Sequence, residues 1–243
     1  MDTKVSLDMD KMSIDNIIYD EKKVKNNKIV IPIKYKEKNK ITSLIVQTPT
    51  FRNIKILKTK KNNYELYIPL IGKKQKNIND FIDFIEKLEK KIIYDAQINS
   101  SSWFTEEKNI KLSYLKTINK RLPNDLELST NSINIIDKSK GYFKIKIYNN
   151  TDNRTILQYD KKNIKLEEIP NDGWIKMILN FSCVIVSNNN FHIKLKPVII
   201  SFSPLDNLQK QNIVITKTQI SNKSLDISDD DEITENSLTE FPN

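Results

Sequence analysis

Two stretches of the chain alternate so that charge and rings fall on one side of an extended backbone. In 142–148, Tyr142, Lys144, Lys146 and Tyr148 share one face, while Phe143, Ile145 and Ile147 share the other. In 191–196, His192, Lys194 and Lys196 alternate with Phe191, Ile193 and Leu195. Lysines spaced this way can neutralise successive phosphates. Exposed rings stack on unpaired bases at roughly 1–3 kcal/mol each. A third basic patch gathers around Arg52 and Lys55, with Lys58, Lys60 and Lys61 close behind. These residues are the candidates for nucleic-acid contact, although the same alternation also suits an ordinary solvated sheet face.

Other chemistry finds less material. Cys183 lies among Phe181, Val184 and Ile185 and reads as a small buried hydrophobe. The chain has one histidine, His192, which rules out a two-histidine acid–base pair or a His-rich metal site. Gly72, Gly141 and Gly173 are the only glycines and lie far apart, so neither a Walker loop nor a dinucleotide loop can be built. The dense carboxylate run Asp229-Asp230-Asp231-Glu232 sits in a low-complexity tail, without a scaffold to hold a metal ion. The expectation is a protein with no catalytic residue, no metal and no cofactor, hence not an enzyme.

The elements that must position the candidates can be read from periodicity. Lys28–Tyr35 is a β-branched strand, with Pro32 marking an edge or a bulge. Further strands are expected at 41–47, 52–58, 64–70, 142–148, 154–160 and 174–187. The last is returned by Asn188-Asn189-Asn190 into 191–200 as a hairpin. Another is expected in 211–220. Phe81, Ile85, Leu88, Ile92 and Ala96 form one helical stripe, which predicts a helix over 80–97 capped by Asn79. A second helix is expected from Thr105 to Pro123. Strands, then helices, then strands, without a βαβ rhythm, indicate a mainly β fold with inserted helices: an antiparallel barrel or sandwich. The helical insertion spans about 79–120 of a domain covering 28–222. Residues 1–27 read as a loosely docked arm.

Charge divides the chain. Its 243 residues carry 40 Lys and Arg against 31 Asp and Glu. Seven of those acids (Asp226, Asp229, Asp230, Asp231, Glu232, Glu235 and Glu240) fall in 224–243, which has no Lys or Arg. The remaining 40 basic and 24 acidic residues give 1–223 a net charge of +16. A basic body draws polyanions by counterion release. An acidic segment this poor in aromatics is expected to be disordered and to compete for the basic surface. A lone thiol, no apolar run of about 20 residues and an N-terminus without an apolar core lead to the expectation of an intracellular protein with no membrane partner.

Several segments resemble one viral family. Leu44-Ile45-Val46-Gln47-Thr48-Pro49 is similar to its strand ending in a Gln-Thr-Pro turn. The helix 81–92 followed by Asn99-Ser100 and Trp103-Phe104 resembles its helix and Asn-Ser-x-x-Trp-Phe segment. Residues 173–191 resemble its late hairpin, and the acidic tail completes the likeness. The family is the phage-type single-stranded DNA-binding proteins of nucleocytoplasmic large DNA viruses. The resemblance covers roughly 44–200 and the tail. It implies an oligonucleotide-binding (OB) barrel that binds single-stranded DNA in replication and recombination. It also implies a tail, carrying Asp229, Asp230, Asp231, Glu232 and Phe241, that shields the DNA groove and contacts a viral DNA polymerase or other replication protein. Host cytoplasm or a viral factory is the implied place, with packaging in the virion and a tail-exchanged homodimer as further expectations. Two positions depart from the pattern. The family's hairpin tends to carry a Gly and a Trp where this chain has Cys183 and Ile185, and Phe241 stands two residues before the end. The competing expectation is a structural, genome-packaging virion protein with a basic β-sandwich.

Overall fold

The computed structural model describes residues 9, 12–25, 27–54, 64–104, 113–120, 139–147, 154–170, 172–187 and 190–205. Its strands are β1 (Ile17–Tyr19), β2 (Lys23–Lys25), β3 (Lys28–Glu37), β4 (Lys40–Ser43), β5 (Ile45–Gln47), β6 (Phe51–Ile54) and β7 (Tyr64–Pro69). Helices α1 (Gln75–Ile98) and α2 (Ser100–Trp103) follow. The later strands are β8 (Ser113–Tyr114), β9 (Ile118–Asn119), β10 (Tyr142–Ile147), β11 (Ile156–Tyr159), β12 (Lys162–Asn163), β13 (Asp172–Ser187) and β14 (Asn190–Ser203). The fold is mainly β, as the alternation predicts. It is not a closed antiparallel barrel, because the sheet is mixed and its strand order has free ends. Parallel pairs arise where β11 lies beside β14, since one chain reversal on either side of β13 returns the chain to its original sense.

The chain divides into two compact units. The first comprises Met1–Val46, Asp80–Thr117 and Asn180–Lys196; the second comprises Gln47–Asn79, Ile118–Leu179 and Pro197–Asn243.

In the first unit β3 is the central strand. On one side it pairs with β13, with Pro32 opposite Cys183 and Val30 opposite Ile185. On the other it pairs with β1 and β2; β4, which pairs with the same Lys34 and Tyr35 as β1, therefore lies on the β13 side. Pro32 therefore marks a bulge and not an edge. Tyr19 faces Ile33 and Lys23 faces Val30, so three residues of the incoming chain span two of β3. The Pro32 carbonyl accepts the Asp20 N–H at 3.0 Å, so the missing proline N–H falls at this break, where no ladder bond is required. Residues 17–25 are thus built into the sheet, in place of the loose arm that their polarity predicts.

Helix α1 covers one face of this unit. Phe81, Ile85, Leu88, Ile92 and Ala96 are all buried, and the Phe84 ring meets Phe181 edge-on at 5.7 Å. Each of the larger side chains contributes about 1.5–3 kcal/mol of burial. Asp95 accepts the Tyr19 hydroxyl at 2.7 Å and pairs with Lys91 at 2.8 Å. The Tyr19 ring also packs on Trp103 at 4.7 Å. Helix α1 begins at Gln75, so Asn79 is internal rather than a cap. Its amide oxygen accepts from Gln75 Nε2 and Lys140 Nζ instead. The expected second helix does not extend through 113–119, where β8 and β9 form; residues 105–112 lie outside the described set. Buried Glu89 accepts the Thr117 N–H at 2.6 Å and the Tyr114 hydroxyl at 3.3 Å, which gives that backbone a partner a helix would not.

The second unit holds a three-stranded sheet in the order β7-β10-β9. Here also β6 pairs with the start of β13, and β11 pairs with the end of β14. Phe51 and Phe143 pack edge-on at 5.3 Å in its core. Gly173, in the left-handed region at φ +149°, is required by closeness: a Cβ there would overlap the Ser203 carbonyl oxygen.

Candidate nucleic-acid interface

On β14 alternation separates a buried row from a basic row. On β14, Phe191 and Ile193 are buried, and Phe191 packs on Tyr114 at 5.1 Å and on Phe104 at 6.1 Å. Alternation turns His192, Lys194 and Lys196 to the opposite side, where all three are half-buried. Cys183 stands against this stripe. Its neighbour Ser182 donates to the Lys194 carbonyl at 3.1 Å, and the Lys194 charge draws the thiol down while burial pushes it up more strongly. Burial first, and the Lys194 ammonium second, pull Lys196 below the ordinary lysine range. Two cations held side by side in partial burial favour an anion between them, because each destabilises the other's charge.

The register extends this face across neighbouring strands. Pro32 and Val30 lie opposite Cys183 and Ile185, while Ile31 and Val184 point into the core. Lys23 is opposite Val30 and Lys25 is opposite Lys28, so Lys23, Lys25 and Lys28 share the side of Val30. All three are exposed. Sequence reasoning passed over them. Their signal was Lys23-Val24-Lys25-Asn26-Asn27-Lys28, an alternating segment turned by an Asn pair, with Asn27 left-handed at φ +57°.

Tyr142, Lys144, Lys146 and Arg52 belong to the second unit. On β10 the expected face is only partly available. Tyr142 is 3% exposed, with its ring 5.7 Å from Tyr67 and its phenol pushed up by burial. It is therefore a core residue and not a stacking platform, which corrects the expectation from alternation. Lys144 is exposed and reaches Glu65 at 3.5 Å; Lys146 lies directly opposite Glu65. Arg52 binds Asp172 at 2.6 Å, with its guanidinium 5.7 Å from the Trp174 centroid. The Lys73 ammonium also lies over that indole, at 5.5 Å. Trp174 and Trp103 are buried, as anchors at element junctions should be. Tyr148, Lys55, and the tail residues Asp229, Asp230, Asp231, Glu232 and Phe241 lie outside the described residues.

Among the described residues, no group of three His, Cys, Asp or Glu side chains could hold a metal ion. No described helix is long and apolar enough to cross a membrane. No family model matches the chain, and no curated protein matches it.

Proposed function

We propose that this chain binds single-stranded DNA through the phosphate backbone, with little dependence on base sequence, and serves viral DNA replication or recombination. The observation that carries this reading is the placement of His192, Lys194 and Lys196 together on the β14 face away from buried Phe191 and Ile193. A net charge of +16 over residues 1–223 supplies the long-range attraction. The finer fold reading is an opened relative of the OB architecture, whose sheet face binds single strands. In this reading the acidic tail competes for the cationic face, and Phe241 with its flanking acids contacts a viral polymerase or another replication protein. The place of action is the host cytoplasm or viral factory. No residue is assigned a catalytic role.

One observation favours a second reading, a genome-packaging virion protein. The rings of Tyr142, Trp103 and Trp174 are buried, and backbone contact alone does not separate unpaired from paired strands. Titration of the full chain against poly-dT and against duplex of equal length, over a series of salt concentrations, distinguishes the two. Preference for poly-dT by orders of magnitude supports the replication role. Equal affinity for both forms replaces it with packaging, and no affinity for either ends both readings.

A further inference from the structure

The β2–β3 hairpin places three exposed lysines on one face. Lys25 and Lys28 are direct cross-strand partners, and like charges so placed oppose pairing. Lys23 follows on the same face, one pleat away. The cross-strand partners in this ladder are Lys23 with Val30, Val24 with Ile29 and Lys25 with Lys28, so no carboxylate stands opposite any of the three lysines. Asp20, between β1 and β2, is engaged by Lys34 at 3.5 Å. Lysines on a short edge strand can simply discourage edge-to-edge pairing. That role needs charge along the edge. It does not need a third lysine on β3, the inner strand of the hairpin, nor a common face with a second basic stripe.

That common face is the decisive geometry. From Lys23 the register runs through Val30 on β3 to Ile185 on β13, and β14 is the next strand in the order. Every one of these residues belongs to the first unit. Three interstrand steps span roughly 14 Å. Between the two groups of cations lie half-exposed Val30, Pro32 and Ile185, an apolar floor. A flexible anionic chain laid across the strands would meet lysines at both ends of its path and apolar surface between them.

We infer that the β2–β3 hairpin, through Lys23, Lys25 and Lys28, is a second phosphate-contacting element for single-stranded DNA, and that the bound strand crosses the sheet from β14 toward β2. The inference rests on the proposed function and adds the hairpin residues and the path to it.

The test measures binding of a dye-labelled dT oligonucleotide to the full chain from low to high salt. Each phosphate contact on a single strand adds about 0.7 to the slope of log affinity against log salt. The variant Lys23→Ala/Lys25→Ala/Lys28→Ala is expected to lower that slope by about 2. It should bind about a hundredfold more weakly near 0.1 M salt, with affinities converging toward 1 M. Replacing the same three lysines by Arg is expected to restore binding. A charge-matched control on α1, Lys76→Ala/Lys87→Ala/Lys90→Ala, is expected to leave the slope near that of the original chain. Two outcomes overturn the hairpin while leaving the proposed function standing: an unchanged slope in the hairpin variant when Lys194→Ala/Lys196→Ala weakens binding, or equal losses in the hairpin and α1 variants. An original chain that binds no oligonucleotide overturns both.

Discussion

Strands β10 and β14 carry nearly the same alternating pattern and meet different fates. On β10 the neighbour β7 sets Tyr67 opposite Lys144 and Glu65 opposite Lys146, so the fold itself engages much of that face. Tyr142 is lost to the core beside it. On β14 the stripe stands against Cys183, which offers no negative charge to a lysine whose own ionisation is already disfavoured by burial. Alternation decides which side chains travel together; the adjoining strand decides what they meet.

The contrast can be broken at Tyr142. Tyr142→Ala is expected to destabilise the fold by about 3 kcal/mol, the cost of emptying an aromatic core position. Chemical denaturation measures this; a negligible change would return Tyr142 to the surface and erase the difference between the strands. Next in size, Lys194→Ala/Lys196→Ala is expected to weaken single-strand binding about 25-fold near 0.1 M salt, the equivalent of two contacts. Lys144→Ala/Lys146→Ala should cost much less in the same fluorescence titration. The reverse order would move the interface to β10.

A smaller effect concerns pH. Because burial, and then the Lys194 charge, hold Lys196 below the ordinary lysine range, it sheds its proton at lower pH than an exposed lysine would. A bound phosphate favours the charged form, so binding takes up a proton and affinity falls as pH rises through the lowered pKa. Lys196→Arg, which stays charged, is expected to flatten this decline in titrations between about pH 8 and pH 10. A decline of the same steepness in the variant would mean that Lys196 does not face the ligand. Smallest is Lys28→Glu. It exchanges a like-charge pair with Lys25 for an opposite one and should raise stability by about 0.5 kcal/mol while weakening binding. Calorimetry and titration on one preparation give both signs.

β3 and the α1 stripe were legible because each buries one face and so prints its period in the sequence, whereas β7 and β13 were legible as apolar, β-rich runs buried on both faces. β1 and β2 were not. Three-residue strands give too little length for a period, and Lys23, Val24 and Lys25 are all exposed, so the pairing is imposed by β3. Of the candidate site, the β14 stripe was readable from alternation. The burial of Tyr142 was not, because it depends on Tyr67 across the ladder. Nor was the capture of Arg52 by Asp172, which lies 120 residues further along the chain. The beginning of α1 was misplaced because Ile78, which is buried three residues before Phe81 and extends the stripe, was read as part of the approach, in a polar segment tied by the Gln75–Asn79 side-chain bond.

Tyr19 ties the start of the sheet to both helices, through Asp95 on one and Trp103 on the other. Shortening the protein to begin at Lys28 would therefore not be a harmless trim. It would unroof an indole, strand a carboxylate and leave the long central strand with an open flank, inviting copies of the shortened chain to zip together along it.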